Sequence, residues 1–313
     1  MPLRIIFCGT PVFAVPTLLH LAAQPDFQVA SVVAQPDRPR GRGQQTSSPP
    51  VKDAALEAGI AVYQPEKIRA ASTLDYFRKL APDVVVIVAY GRIIPPALLE
   101  VPRLGWINLH ASLLPKYRGA APVHWAIANG ETRSGLTTMS IDAGLDTGPM
   151  LLKREIDIGP DETALELTAR LAEAGAPLMA ETLRRLERRD ISSQTQDDSE
   201  ATLAPPLKKE DGRIDWNSRA PEIYNRIRAF QPWPGTFTTF RGKQCHLWGQ
   251  PVALAHNKGP GAIVTQGRDI IAACGDGTSL RLAFVQLAGR KRVSAQEFSS
   301  GARLSPGDAF GRE

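Results

Sequence analysis

No apolar run in this sequence approaches the ~20 residues needed to cross a bilayer, so no membrane-spanning helix is expected. Cysteine is scarce: Cys8, Cys245 and Cys274 are odd in number and far apart. That spacing matches neither a disulfide framework nor a zinc site. Buried thiols in a reducing cytoplasm are the expectation. His, Cys and acidic residues nowhere cluster at metal-ligand spacing, so no metal is expected. The first apolar segment is followed by Gly9-Thr10-Pro11, which lacks the G-x-G-x-x-G spacing of a nicotinamide site. No signal-peptide cleavage pattern follows Met1-Pro2-Leu3-Arg4, and no internal repeat is present.

The 313 residues, 43% hydrophobic and 22% charged, suit a globular protein of two domains. Charge divides them unevenly. Residues 1–206 hold 21 Lys+Arg against 23 Asp+Glu, a net of −2, whereas residues 207–313 hold 16 against 9, a net of +7. A basic C-terminal third points to a polyanionic partner there. The first part alternates apolar runs (4–8, 28–34, 83–89, 106–110, 136–140) with helical patterns, as parallel βαβ units do. Thr163 and Glu166 fit a capping box that opens a long helix. Ala164, Leu167, Leu171, Ala174 and Leu178 mark its apolar stripe. Residues 192–206 are polar and without period, as linkers are. Beyond them, short strand-like segments with glycine turns suggest a small barrel. The expected fold is therefore α/β: a Rossmann-like parallel sheet over 1–190, a linker over 191–206 and an OB-like β-barrel over 207–313.

The densest chemistry lies in Asn108-Leu109-His110-Ala111-Ser112-Leu113-Leu114-Pro115, followed by Arg118-Gly119-Ala120-Ala121-Pro122. On a strand, Asn108 and His110 are two apart and share a face. Asp146 lies in a loop-like segment after the next strand, so an open sheet could bring all three to one edge. Singly, each residue type has common structural uses. Together they suit acyl transfer to an amine. An amide N–H stabilises the tetrahedral oxyanion, an imidazole moves the proton, and a carboxylate orients the imidazole. Arg38, Arg40 and Arg42 on a Pro/Gly-rich loop make a credible phosphate contact.

These segments, with Phe7-Cys8-Gly9-Thr10-Pro11, Ala89-Tyr90-Gly91, the 142–149 loop, the 209–216 run and the 228–235 run, resemble the bacterial methionyl-tRNA formyltransferase family. The resemblance covers essentially the whole chain. It implies a nucleotide-binding-like domain that holds 10-formyltetrahydrofolate as co-substrate, and a C-terminal barrel that contacts initiator methionyl-tRNA. Asn108, His110 and Asp146 fall on the family's catalytic positions. Ser112, Leu113, Leu114 and Pro115, with Tyr90 and Gly91, fall on its folate-binding positions. Arg38, Arg40, Arg42 and Lys209 are the implied tRNA contacts. Gln44 and Gln45 stand where members often carry lysines. The N-terminal motifs are shared with formyltransferases acting on small amines such as amino-sugar nucleotides, and the C-terminal segments favour tRNA. A cytoplasmic monomer is expected.

Overall fold

A computed structural model describes residues 1–40 and 45–312, and the side chains of all of these except 39, 40, 45 and 46. Arg42 and Gln44 lie outside the described residues, as does the side chain of Arg40. By its contacts the chain divides into two units. The first comprises 1–122, 133–157 and 166–205; the second comprises 123–132, 158–165 and 206–313.

The first unit holds strands β1 (Leu3–Gly9), β2 (Phe27–Val33), β3 (Arg38–Arg40), β4 (Gln45–Ser47), β5 (Val62–Tyr63), β6 (Val84–Val88), β7 (Trp106–His110), β8 (Arg133–Ser140) and β9 (Met150–Asp157). Its helices are α1 (Val15–Ala22), α2 (Pro50–Glu57), α3 (Ala71–Leu80), α4 (Pro96–Leu99) and most of α6 (Ala164–Glu187). The main sheet runs β5-β2-β1-β6-β7-β8-β9, and β3 and β4 form a separate hairpin. The five strands from β5 to β7 are parallel. Every residue of β6 is buried, as a parallel strand covered on both faces requires. β8 and β9 run antiparallel, where the sequence pattern suggested parallel units throughout. The polarity of a single strand is not written in its own pattern.

Helix α6 starts one residue after Thr163 and buries Leu167, Leu171, Leu178, Met179 and Leu183. It lies close on β7 because Gly175 has no side chain. A Cβ there would meet Leu109 Cδ2 at 2.5 Å. Thr182 and Thr138 share a buried hydroxyl contact of 2.9 Å that ties α6 to β8. The polar run before 206 is held by this unit. Gln194 bridges Met150, and Leu203 bridges Arg118.

The second unit holds α7 (Ala220–Ala229), β10 (Phe237–Phe240), β11 (Lys243–Val252), β12 (Ile263–Gln266), β13 (Asp269–Ala273), β14 (Ser279–Leu287), β15 (Val293–Ser294) and α8 (Ala295–Ala302). It also takes in most of α5 (Pro122–Ala128). The antiparallel order is β10-β11-β14-β13-β12, with β15 on β14. Bridges from Phe240 to Phe310 and from Ala262 to Ala309 connect its two edges through one short segment, so the sheet closes on itself. Trp216, Phe240, Leu247, Leu280, Phe298 and Phe310 fill the interior.

The closing segment is pinned by charge. The Arg241 guanidinium donates to both carboxylate oxygens of Asp308, at 3.0 and 2.7 Å. This pairing holds Asp308 below the usual aspartate range. A depressed folded-state pKa contributes stability above the ordinary value of about 3.9 and loses it as pH falls through the folded value. Asp308→Asn should therefore lower stability at neutral pH by about 1 kcal/mol, the upper end for a partly exposed pair. Melting curves should show that gap closing as pH falls below about 4. A gap unchanged at pH 2 would show that the charge on Asp308 is not its cause.

Candidate active site

β7 places Asn108 and His110 on one face, as alternation requires. The segment 141–149 between β8 and β9 folds back over that face and presents Asp146. Asn108 Nδ2 faces Asp146 Oδ1 at 3.4 Å, and His110 Nδ1 faces Asp146 Oδ2 at 3.6 Å. The three residues converge, but not by the parallel-strand rule. Because β8 is antiparallel to β7, its end lies beside Ile107 rather than at the carboxyl edge. The return of the loop makes the site.

Each member is held by its surroundings. His110 is buried, and its Nε2 lies 2.9 Å from the carbonyl of Tyr117. That carbonyl accepts only a proton-bearing nitrogen, which assigns the neutral ring's proton to Nε2 and leaves the Nδ1 lone pair facing Asp146. Asp146 itself sits at φ +52, a conformation uncommon for a residue with a side chain. Its Oδ2 accepts the backbone N–H of Gly119 at 2.9 Å. Gly119, at φ +121, also passes so close to Ala204 that a Cβ would lie 2.7 Å from that carbonyl.

The clamp on the Asp146 loop was not legible in the sequence. Gln196 donates its amide to the carbonyls of Asp146 and Gly148, both at 2.8 Å. Its Oε1 accepts from Arg118 Nε at 3.0 Å, and Arg118 also reaches Asp198 at 2.8 Å. Gln196 and Arg118 are both buried. Gln196 comes from the polar run expected to be a linker, where composition gives no sign of burial. Gln196→Ala would leave two carbonyls and a guanidinium nitrogen unpaired. We expect kcat to fall about 10- to 100-fold through misplacement of Asp146, with KM little changed. Normal kcat with a lowered melting temperature would make Gln196 a structural residue alone.

The turn after β7 is closely tied. Ser112 Oγ donates to Lys116 O at 2.6 Å, Leu114 N donates to Thr137 Oγ1 at 3.1 Å, and Lys153 Nζ donates to Leu114 O at 2.6 Å. Ser112, Leu114 and Pro115 are buried, whereas Leu113 is half-buried. Tyr90 and Gly91 follow β6, whose Ile87 pairs with Asn108, so they leave the sheet beside the end of β7. Tyr90 is buried, which pushes its hydroxyl pKa up, and its carbonyl accepts from Gln35 at 3.0 Å. Arg38 is exposed on β3, and Lys209 is exposed in the second unit. Cys8, Cys245 and Cys274 are buried free thiols, the last two pushed up to about 12 by that burial. Among the described residues no group of three His, Cys, Asp or Glu could hold a metal ion.

Comparison with known proteins gives this geometry a family. The formyl transferase model matches residues 3–183, and the formyl transferase C-terminal domain model matches residues 206–303. A methionyl-tRNA formyltransferase of Solibacter usitatus is 53% identical over 310 residues, covering 99% of each chain. One from Geobacter metallireducens shows the same identity and coverage. Among solved structures, the sugar 3N-formyl transferase WlaRD superposes with a TM-score of 0.66 at 19% identity, covering 93% of this chain and 100% of its own. That likeness concerns the fold. The full-length identity goes further, and this chain belongs to the methionyl-tRNA formyltransferases of the formyl transferase family.

Proposed function

We propose that this protein transfers the formyl group of 10-formyltetrahydrofolate to the α-amino group of initiator methionyl-tRNA, for translation initiation. The observation that carries the reading is the convergence of Asn108 and His110 on Asp146, in a chain 53% identical over its length to methionyl-tRNA formyltransferases. The neutral amine attacks the formyl carbon, and a C–N bond forms. The resulting tetrahedral intermediate carries O⁻ and an ammonium. Asn108 has a second amide N–H, beyond the one facing Asp146, for the O⁻. His110 Nδ1 takes the ammonium proton, and Asp146 stabilises the imidazolium that results. The C–N bond to the folate N10 then breaks, and His110 returns the proton to that nitrogen. Tetrahydrofolate and formylmethionyl-tRNA leave. The contacts within the trio are 3.4 and 3.6 Å.

In this reading residues 1–190 perform the chemistry, with Ser112, Leu113, Leu114, Pro115, Tyr90 and Gly91 holding the folate. Residues 207–313 hold the tRNA, with Lys209 there and Arg38, Arg40 and Arg42 meeting it from the first unit. The protein acts in the cytoplasm as a monomer. The test is formylation of charged initiator methionyl-tRNA by pure protein and 10-formyltetrahydrofolate, beside uncharged tRNA. Product with the charged tRNA alone supports the reading. Folate-dependent formylation of an amino-sugar nucleotide instead, with none of the tRNA, overturns the acceptor.

A further inference from the structure

The outer face of the second unit's sheet carries a row of rings that the catalytic reading does not use. Along β11, Cys245 and Leu247 point into the core while His246 and Trp248 point out. Phe237 pairs with His246, and Trp248 pairs with Phe284. The ring centroids of Phe237 and His246 lie 6.0 Å apart, and those of His246 and Trp248 lie 6.4 Å apart. Phe284 is 42% exposed. A register shift between Trp248 and Gly249 sets Phe284 opposite the tryptophan.

Cations border the Phe284 end of this row. The turn between β14 and β15 carries Arg290, Lys291 and Arg292, all exposed. Arg292 lies over two rings at once, 5.2 Å from the centroid of Trp248 and 5.0 Å from that of Phe284. Among the described residues no carboxylate pairs with it. A guanidinium stacked in this way keeps its donors directed outward and loses little freedom when an anion arrives. At the other end, burial holds His246 below the ordinary histidine range, and the charge of Lys209 adds to that effect.

A solvent-facing strip of aromatic rings bordered by cations suits unpaired nucleotides. Bases stack on the rings, and phosphates meet the flanking charges. An acidic protein would use the cations but would have no particular need for the ring spacing. The net charge of +7 over residues 207–313 has the sign that complements RNA. We propose that Phe237, His246, Trp248 and Phe284, with Arg292 over the last two, form a stacking platform for an unpaired stretch of the tRNA substrate, with Arg292 on a backbone phosphate. The proposal rests on the tRNA reading above and assigns it a surface and a mode of contact.

The test measures equilibrium binding of tRNA across a salt series, so it is independent of turnover. Three variants are compared with wild type: Trp248→Ala combined with Phe284→Ala, Arg292→Lys, and Arg292→Ala. Arg268→Ala, which removes an exposed cation from the β12–β13 turn, is the control. We expect the ring variant to raise Kd about 5-fold or more. Arg292→Ala should also raise Kd and reduce the salt slope by roughly 0.7–0.9. Arg292→Lys should keep the slope yet lose affinity, because an ammonium cannot stack as a planar fork. All these side chains face solvent, and melting curves check the fold. A ring variant and an Arg292→Ala variant that bind like the control overturn the proposal, as does wild-type protein that does not bind tRNA. Wild-type protein that binds tRNA without formylating it overturns the assigned reaction and leaves the platform to stand or fall on the variants.

Discussion

His110→Ala should lower kcat by about 10²- to 10⁴-fold, the usual contribution of a positioned acid–base group, while tRNA binding stays within about two-fold of wild type. The ring is buried on β7 with its Nε2 on the Tyr117 carbonyl. Its remaining nitrogen faces Asp146, and in the proposed reaction it takes the proton of the attacking amine. Alanine removes the proton acceptor and leaves the carboxylate without its partner. The turn after β7 keeps its own hydrogen bonds to Thr137, Lys116 and Lys153. The loss should therefore fall on kcat and kcat/KM together, the signature of an interaction made in the transition state. Formylation kinetics beside a direct tRNA-binding measurement separate the two. Turnover near the wild-type rate would remove His110 from the mechanism.

Much of the fold could be read from local pattern, where the pattern was strong. Trp-Ile-Asn-Leu-His at 106–110 has the bounds expected. The short helices were harder. α3 buries only Thr73 and Phe77 fully, too few apolar positions to establish a helical period. α8 depends on a capping box at Ser294 and Glu297 and on burial of Ala295 and Phe298. Strand direction was the larger gap. The segment between β7 and β8 includes α5, a connection that would suit a parallel crossover, yet β8 runs antiparallel. Direction is set by where the chain must return, not by the strand's own residues.

The candidate site divides the same way. Asn108 and His110 share a face by spacing alone. Their meeting with Asp146 needs a folded-back loop, and that loop needs Gly148. A Cβ there would lie 1.8 Å from the carbonyl of Ser140. It also needs Gln196, some fifty positions downstream in a run that looks like solvated linker. Composition identifies polar residues but not which of them are buried, because burial of a polar side chain is fixed by partners distant in sequence.

Asn108→Ala should lower kcat about 10²- to 10³-fold, corresponding to ~2.7–4 kcal/mol for one lost oxyanion donor. Asn108→Asp is the sharper experiment, because shape is kept and the donor becomes an acceptor. The new carboxylate would stand where Asn108 Nδ2 now faces Asp146 Oδ1 at 3.4 Å. Two carboxylates at that separation resist joint ionisation, and one of them retains a proton to a higher pH. The aspartate variant should be at least as impaired as the alanine variant at neutral pH. It should recover part of the difference as pH is lowered, since a protonated carboxyl regains one O–H donor. The alanine variant has no such group and should show no matching recovery. Parallel pH–rate profiles for the two variants would mean that Asn108 supplies shape rather than a hydrogen bond to the developing oxyanion.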